Sequence, residues 1–234
     1  MHNPIIVALD VPDAAQALAL AAQVAPAVGA FKIGKELFVS AGPDIVRRIR
    51  GTGAAVFLDL KFHDIPNTVA KAVMAAVQLD VQMLTIHASG GTAMMQAAET
   101  AAQEAAHAAG RPAPLVLGVT VLTSLDAADL AAVGIAGGVG AQVERLAALA
   151  AAAGLRGLVC SPLEIVALRK LLPKAMQLVT PGIRPAEGGK PDDQKRTMTP
   201  RDALAAGANW LVIGRPIYAA ANPRAAAEAI LATL

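Results

Sequence analysis

Cysteine is nearly absent: Cys160 is the only one in 234 residues. No intrachain disulfide can form, and a cysteine-based metal cluster is excluded. Charge is sparse as well. Lys and Arg number 20 against 18 Asp and Glu, a net charge of +2, with no basic block longer than the pair Arg47-Arg48. That leaves no electrostatic case for nucleic acid or an anionic membrane as partner, although single basic residues could still serve a small anionic ligand. Long apolar runs are missing too: none free of charge is long enough to cross a bilayer. The first residues, MHNP, carry no basic segment, and the apolar run 5–9 is too short for a signal peptide, so a cytoplasmic location is expected.

What the chain does have is apolar mass, 55% of its residues, much of it alanine. This is enough for one large core, and nothing requires more than a single domain over 1–234. Extended apolar runs recur at 5–10, 30–34, 55–61, 81–87, 115–121, 157–160, 176–180 and 210–214. Between them lie Ala- and Leu-rich segments of helical period, at 14–23, 43–50, 68–79, 92–108, 140–152, 163–171 and 201–206, with 223–234 closing the chain. Buried parallel strands alternating with helices read as βα units, and eight units in this length predict an α/β fold, a closed (β/α)8 TIM barrel. A doubly wound open sheet is the rival, but it needs a switch point that the pattern does not provide. Gly53, Gly110, Gly154 and Gly207 each fall between a helix and the next strand. After the seventh strand, the segment 181–200 is long and rich in Pro, Gly and charge. At the C-terminal rim of a barrel such a segment is a functional candidate.

Charged residues occupy positions where a barrel interior should be apolar. In the third strand Ala55, Phe57, Asp59 and Lys61 share one face, and Val56, Leu58 and Leu60 share the other. The second set suits the helix-packing side, which places Asp59 and Lys61 inside the barrel mouth. By the same alternation Lys32 follows Ala30 inward, Asp10 ends the face of Ile6 and Ala8, and His87 ends that of Met83 and Thr85. Strand-end salt bridges of no consequence are the plain alternative. Four ionisable residues on one rim weigh against it, because buried charges persist when paired and gather where chemistry needs shifted pKa values. His87 is as readily structural as catalytic, and His63 leaves the strand as a loop-fixing residue. Asp10, Asp59 and Asp64 could hold magnesium, but Lys32 and Lys61 interleave with them and compete.

Strand eight ends in Ile213-Gly214-Arg215-Pro216, and strand seven leads into Pro181-Gly182-Ile183-Arg184. Barrels bind phosphate near these two strands through glycine amides and short helices, and an arginine grips the anion bidentately. Gln194 adds a neutral donor and acceptor, and 190–196 is polar enough for a closing lid. Strand five ends in Thr120-Val121-Leu122-Thr123-Ser124. Its hydroxyls suit either the amide edge of a planar heterocycle or the cap of a helix at 126–132.

The segment Asp59-Leu60-Lys61-Phe62-His63-Asp64-Ile65-Pro66-Asn67-Thr68 resembles the Asp-x-Lys-x-x-Asp-Ile-x-x-Thr signature of the orotidine 5'-phosphate decarboxylases. The resemblance extends over nearly the whole chain, through Ala8-Leu9-Asp10, Lys32-Ile33-Gly34, Thr123-Ser124, the Pro-Gly-Ile-Arg segment, Gln194 and Gly214-Arg215. It implies conversion of orotidine 5'-phosphate to uridine 5'-phosphate, the last step of de novo UMP synthesis, by a homodimer without metal or organic cofactor. It further implies that Lys61 protonates C6 of the pyrimidine and that Asp59 lies against the substrate carboxylate. Asp64 and Thr68 would reach in from the partner subunit, Asp64 beside Lys61. Asp10 and Lys32 would bind ribose, Lys32 also acting in catalysis by holding the charged network in register. Thr123 would help read the base, and Arg184, Gln194, Gly214 and Arg215 would serve the phosphate. Two other readings stay open: a magnesium-dependent sugar-phosphate decarboxylase or aldolase on the same barrel, and a non-catalytic nucleotide-binding barrel.

Overall fold

A strand covered on both faces must be apolar on both, which is why the eight Val-, Ile- and Leu-rich runs read as strands at all. In the computed structural model of the chain, which describes residues 3–185 and 197–234, they are β1 (Ile5–Ala8), β2 (Ala30–Gly34), β3 (Ala55–Phe62), β4 (Met83–His87), β5 (Leu115–Val119), β6 (Gly157–Val159), β7 (Gln177–Thr180) and β8 (Trp210–Ile213). All pair in parallel and in sequence order, and β8 closes onto β1 with Ile5 opposite Leu211 and Val7 opposite Ile213. The fold is a (β/α)8 TIM barrel.

Its outer layer is α1 (Ala14–Val24), α2 (Lys35–Ala41), α3 (Asp44–Arg50), α4 (Pro66–Val77), α5 (Thr92–Ala108), α6 (Ala127–Ala132), α7 (Gly138–Ala152), α8 (Ile165–Leu171), α9 (Pro200–Ala206), α10 (Arg215–Tyr218) and α11 (Pro223–Leu231). Among the described residues no helix is long and apolar enough to cross a membrane.

Strand alternation separates two apolar layers as expected. Val56 and Leu58 join the large cluster between sheet and helices. Phe57 instead joins Ile6, Ala8, Ala30, Met83, Leu117, Val179 and Val212 in a plug that fills the barrel. The next interior positions toward the C-terminal ends of β1, β2 and β3 are Asp10, Lys32 and Asp59. Charge therefore begins where the apolar plug stops.

Several boundaries differ from the sequence expectation, each for a local reason. Helix α2 has no counterpart in it, because it follows β2 directly and buries only Leu37, so no apolar stripe marks it. Gly42, at φ 69°, then separates α2 from α3. Helix α4 begins at Pro66 rather than residue 68, since a proline is pre-organised for the first helical position. Strands β1 and β5 end two residues early, so Asp10 and Val121 belong to loops. The cap of α6 is neither Thr123 nor Ser124. Asp126 accepts from the backbone N–H groups of Ala128 and Asp129, and the Asp129 carboxylate accepts from the Asp126 N–H in return.

Candidate active site

The four charges at the barrel mouth form a continuous alternating array. Lys32 Nζ lies 3.0 Å from Asp10 Oδ1 and 3.7 Å from Asp59 Oδ2, and Lys61 Nζ lies 2.7 Å from Asp59 Oδ1. Asp59 and Lys32 are the most enclosed, at 13% and 12% side-chain exposure, whereas Asp10 is 49% exposed. Burial pushes the Asp59 carboxyl upward, but Lys32, Lys61 and the hydrogen bonds from Lys61 and Thr85 outweigh it and hold the group below its ordinary value. Asp59 is therefore an anion between two ammonium groups at neutral pH. Gly34 leaves room for this packing: a Cβ there would lie 3.1 Å from Lys32 Nζ.

Lys61 is not in regular strand conformation. Leu58 pairs with Leu84, yet the next register pair joins Phe62 to Ile86, so β3 spends four residues where β4 spends two. Within this bulge Lys61 adopts φ 54°, one of two non-glycine residues with positive φ among those described. Bulges re-aim side chains beside active sites. Thr85, fully buried on the interior face of β4, accepts a hydrogen bond from the Lys61 N–H at 2.9 Å and donates to Asp59 Oδ1 at 3.0 Å. Its signal in the sequence is a hydroxyl between Met83 and His87 on the inward face of β4, which by itself points to no role.

A cavity of about 470 Å³ opens over the array and is lined by most of the residues singled out in the sequence. Asp10, Lys32, Asp59 and Lys61 meet there with Thr123, Ser124, Arg184, Gly214 and Arg215. Val121 and Leu122 add an apolar wall, and Tyr218 from α10 joins the rim. The two ends of the long connection after β7 are clamped together: Arg184 N–H donates to the Met198 carbonyl and Met198 N–H to that of Gly182. Gly182 has φ 77°, which only glycine adopts without strain. Gln194 and the whole of the segment 190–196 lie outside the described residues.

Asp64 and Thr68 do not join this cavity. Both are exposed, Asp64 at the turn after β3, where its carboxylate accepts from the Ile65 N–H, and Thr68 in the first turn of α4. His87 is also outside the lining, its ring tilted by 41° against that of His63 with centroids 5.4 Å apart. Burial lowers its pKa, the positive fields of His63, Lys61 and Lys35 lower it further, and Asp59 offsets part of this. Cys160 lines the cavity floor but is not a nucleophile: burial, then the Glu164 carboxylate, push its thiol up to about 12 despite opposing contributions from Thr180 and Arg169. Among the described residues no three His, Cys, Asp or Glu side chains are grouped to hold a metal ion.

Residues 3–230 match the Orotidine 5'-phosphate decarboxylase / HUMPS family. An orotidine 5'-phosphate decarboxylase of Moorella thermoacetica is 54% identical across 100% of this chain and 94% of its own length. One of Nitrosococcus oceani is 54% identical across 98% and 97%. Among solved structures, an orotidine 5'-phosphate decarboxylase from Lactobacillus acidophilus superposes with a TM-score of 0.87 at 37% identity, covering 97% of each chain. An uncharacterized conserved protein from Geobacillus kaustophilus does so with a TM-score of 0.82 at 34% identity. With the same barrel and near full-length likeness, this chain belongs to the orotidine 5'-phosphate decarboxylase / HUMPS family.

Proposed function

We propose that this chain decarboxylates orotidine 5'-phosphate to uridine 5'-phosphate and carbon dioxide, acting as one barrel domain in the cytoplasm and needing no metal or organic cofactor. The observation that carries the reading is the alternating Asp10–Lys32–Asp59–Lys61 array at the floor of a cavity whose rim bears Arg184 and Arg215. Binding an anion would not by itself require a lysine pressed against a buried carboxylate. Stabilising charge that develops on carbon does.

The C6–carboxylate bond breaks and leaves its electron pair on C6, a vinylic position with little resonance stabilisation. An ammonium fixed beside C6 favours that localised charge more than it favours the spread charge of the departing carboxylate, so its field lowers the barrier. Lys61 then transfers a proton from Nζ to C6, carbon dioxide departs, and the neutral amine regains a proton from water. Asp59 holds the Lys61 ammonium in place until then, at 2.7 Å, while Lys32 and Asp10 serve the ribose. Thr123 reads the base edge. Arg184, Gln194, Gly214 and Arg215 hold the phosphate, whose binding energy positions the reacting end.

Asp64 and Thr68 enter this reading through a second copy of the chain. Both are exposed beside Ile65 and Met74, which are 67% and 46% exposed, an apolar surface suited to a homodimer interface.

The test is a spectrophotometric assay of orotidine 5'-phosphate in excess EDTA with wild type and Lys61→Ala. Turnover by the wild type alone supports the proposal. Dependence on added magnesium would point to the sugar-phosphate lyases of the same barrel, and tight binding without turnover to a non-catalytic barrel. Mixing unfolded Lys61→Ala and Asp64→Asn chains and refolding them tests the composite site. If Asp64 acts across the interface, hybrids regain one intact site and about a quarter of wild-type activity returns. If it acts within its own chain, none does.

A further inference from the structure

We infer that Thr85 is a positioning residue for the decarboxylation proposed above: its hydroxyl closes a ring that fixes both ends of Lys61. The ring has three contacts. Lys61 N–H donates to Thr85 Oγ1 at 2.9 Å, Thr85 Oγ1 donates to Asp59 Oδ1 at 3.0 Å, and Lys61 Nζ donates to the same oxygen at 2.7 Å. One hydroxyl thus anchors the backbone of the lysine and the carboxylate that steers its ammonium.

The anchor matters because the lysine needs one. Lys61 sits in a bulge at φ 54°, a conformation that an L residue holds only when its surroundings over-determine it. The bulge interrupts the register between β3 and β4, so the lysine N–H requires a partner other than a regularly spaced strand. Thr85 supplies that partner from the neighbouring strand, at a position with no solvent exposure. Its single proton is committed to Asp59, because a carboxylate only accepts. With accepting and donating roles both assigned, the hydroxyl cannot rotate freely. Valine matches its shape but supplies neither bond, leaving the Lys61 N–H and one Asp59 lone pair without these partners.

Three readouts separate positioning from packing. Thr85→Val should lower kcat by about 10- to 100-fold while KM changes by less than about 3-fold, since the substrate-binding groups are untouched. Thr85→Ser keeps the hydroxyl and should restore kcat to within about 3-fold of wild type although it removes a methyl group. The acidic limb of the kcat–pH profile should move to higher pH in Thr85→Val, because Asp59 loses a hydrogen bond that holds its carboxyl down, and should stay in place in Thr85→Ser. Circular dichroism and thermal unfolding establish that each variant is folded. If Thr85→Val does not fold, Thr85→Ala and Thr85→Ser carry the same contrast, one without and one with the hydroxyl. Wild-type kcat and pH profile in the hydroxyl-free variant would overturn the inference, as would equal loss in Thr85→Ser, which would assign the residue to packing. A wild type without turnover would instead refute the decarboxylase reading itself.

Discussion

Replacing Lys61 by alanine and by glycine separates what this residue does for chemistry from what its backbone imposes on the fold. Both variants delete the ammonium, and both leave Asp59 with Lys32 at 3.7 Å and the N–H of residue 61 available to Thr85. They differ in how they tolerate φ 54°. An L residue in the left-handed region is disfavoured by about 1–2 kcal/mol, which glycine avoids. Glycine gives back about 0.4–1 kcal/mol through the greater freedom of its unfolded chain. The balance favours Lys61→Gly over Lys61→Ala by about 0.5–1 kcal/mol, the reverse of the usual order within a strand. For a chain of this length that is a Tm higher by about 1–4 °C. Turnover of orotidine 5'-phosphate should fall at least about 10⁴-fold in both, since proton transfer and electrostatic stabilisation disappear together. Thermal unfolding and the absorbance assay on the same preparations give both numbers. An alanine variant as stable as the glycine variant would refute the claim that the bulge imposes strain, and residual turnover near wild type would remove Lys61 from the chemistry.

Arg215→Ala should lower kcat/KM by about 10³-fold with an unchanged circular dichroism spectrum, because the lost contact is to the remote phosphate; near-normal efficiency on the full nucleotide would remove Arg215 from the phosphate site. Native Cys160 should resist iodoacetamide at pH 8, its thiol lying at about 12, and should react once the chain is unfolded in urea; rapid labelling of the native protein would contradict its buried position. Asp59→Asn should reduce the unfolding free energy by about 3 kcal/mol at neutral pH, because a buried carboxylate between two ammonium groups is removed. The folded-state pKa of Asp59 is lowered, so its contribution is complete above the ordinary value of 3.8 and disappears as pH falls through the lower folded value. Urea titrations across that range should therefore show the gap between variant and wild type closing in acid; a constant gap would mean that Asp59 is not the group responsible.

Much of the site is already present in the residue order. The period of two assigned Asp59 and Lys32 to the barrel interior, because a side chain beyond an inward Phe57 or Ala30 must also point inward, and the cavity contains both. The Gly-Arg pairs at the ends of β7 and β8 were legible for the same reason: parallel strands in sequential order place their C-terminal ends on one rim. Helix α2 was not legible, since a helix that buries only Leu37 shows no apolar stripe, and neither was the Asp126 cap, which lies close to the alternative candidates Thr123 and Ser124.

What the sequence alone determined is therefore the barrel, the identity of the charged residues and the face from which most of them act, all consequences of short-range periodicity. Tertiary structure alone decided the rest. The bulge at Lys61 depends on how β3 registers against β4, and the Thr85 ring depends on two strands meeting within hydrogen-bond distance. Strand alternation treated Lys61 as an ordinary inward residue. The fold holds it at a positive φ, with its backbone tied to Thr85 and its ammonium to Asp59, because pairing between strands sets that conformation and periodicity along one strand cannot.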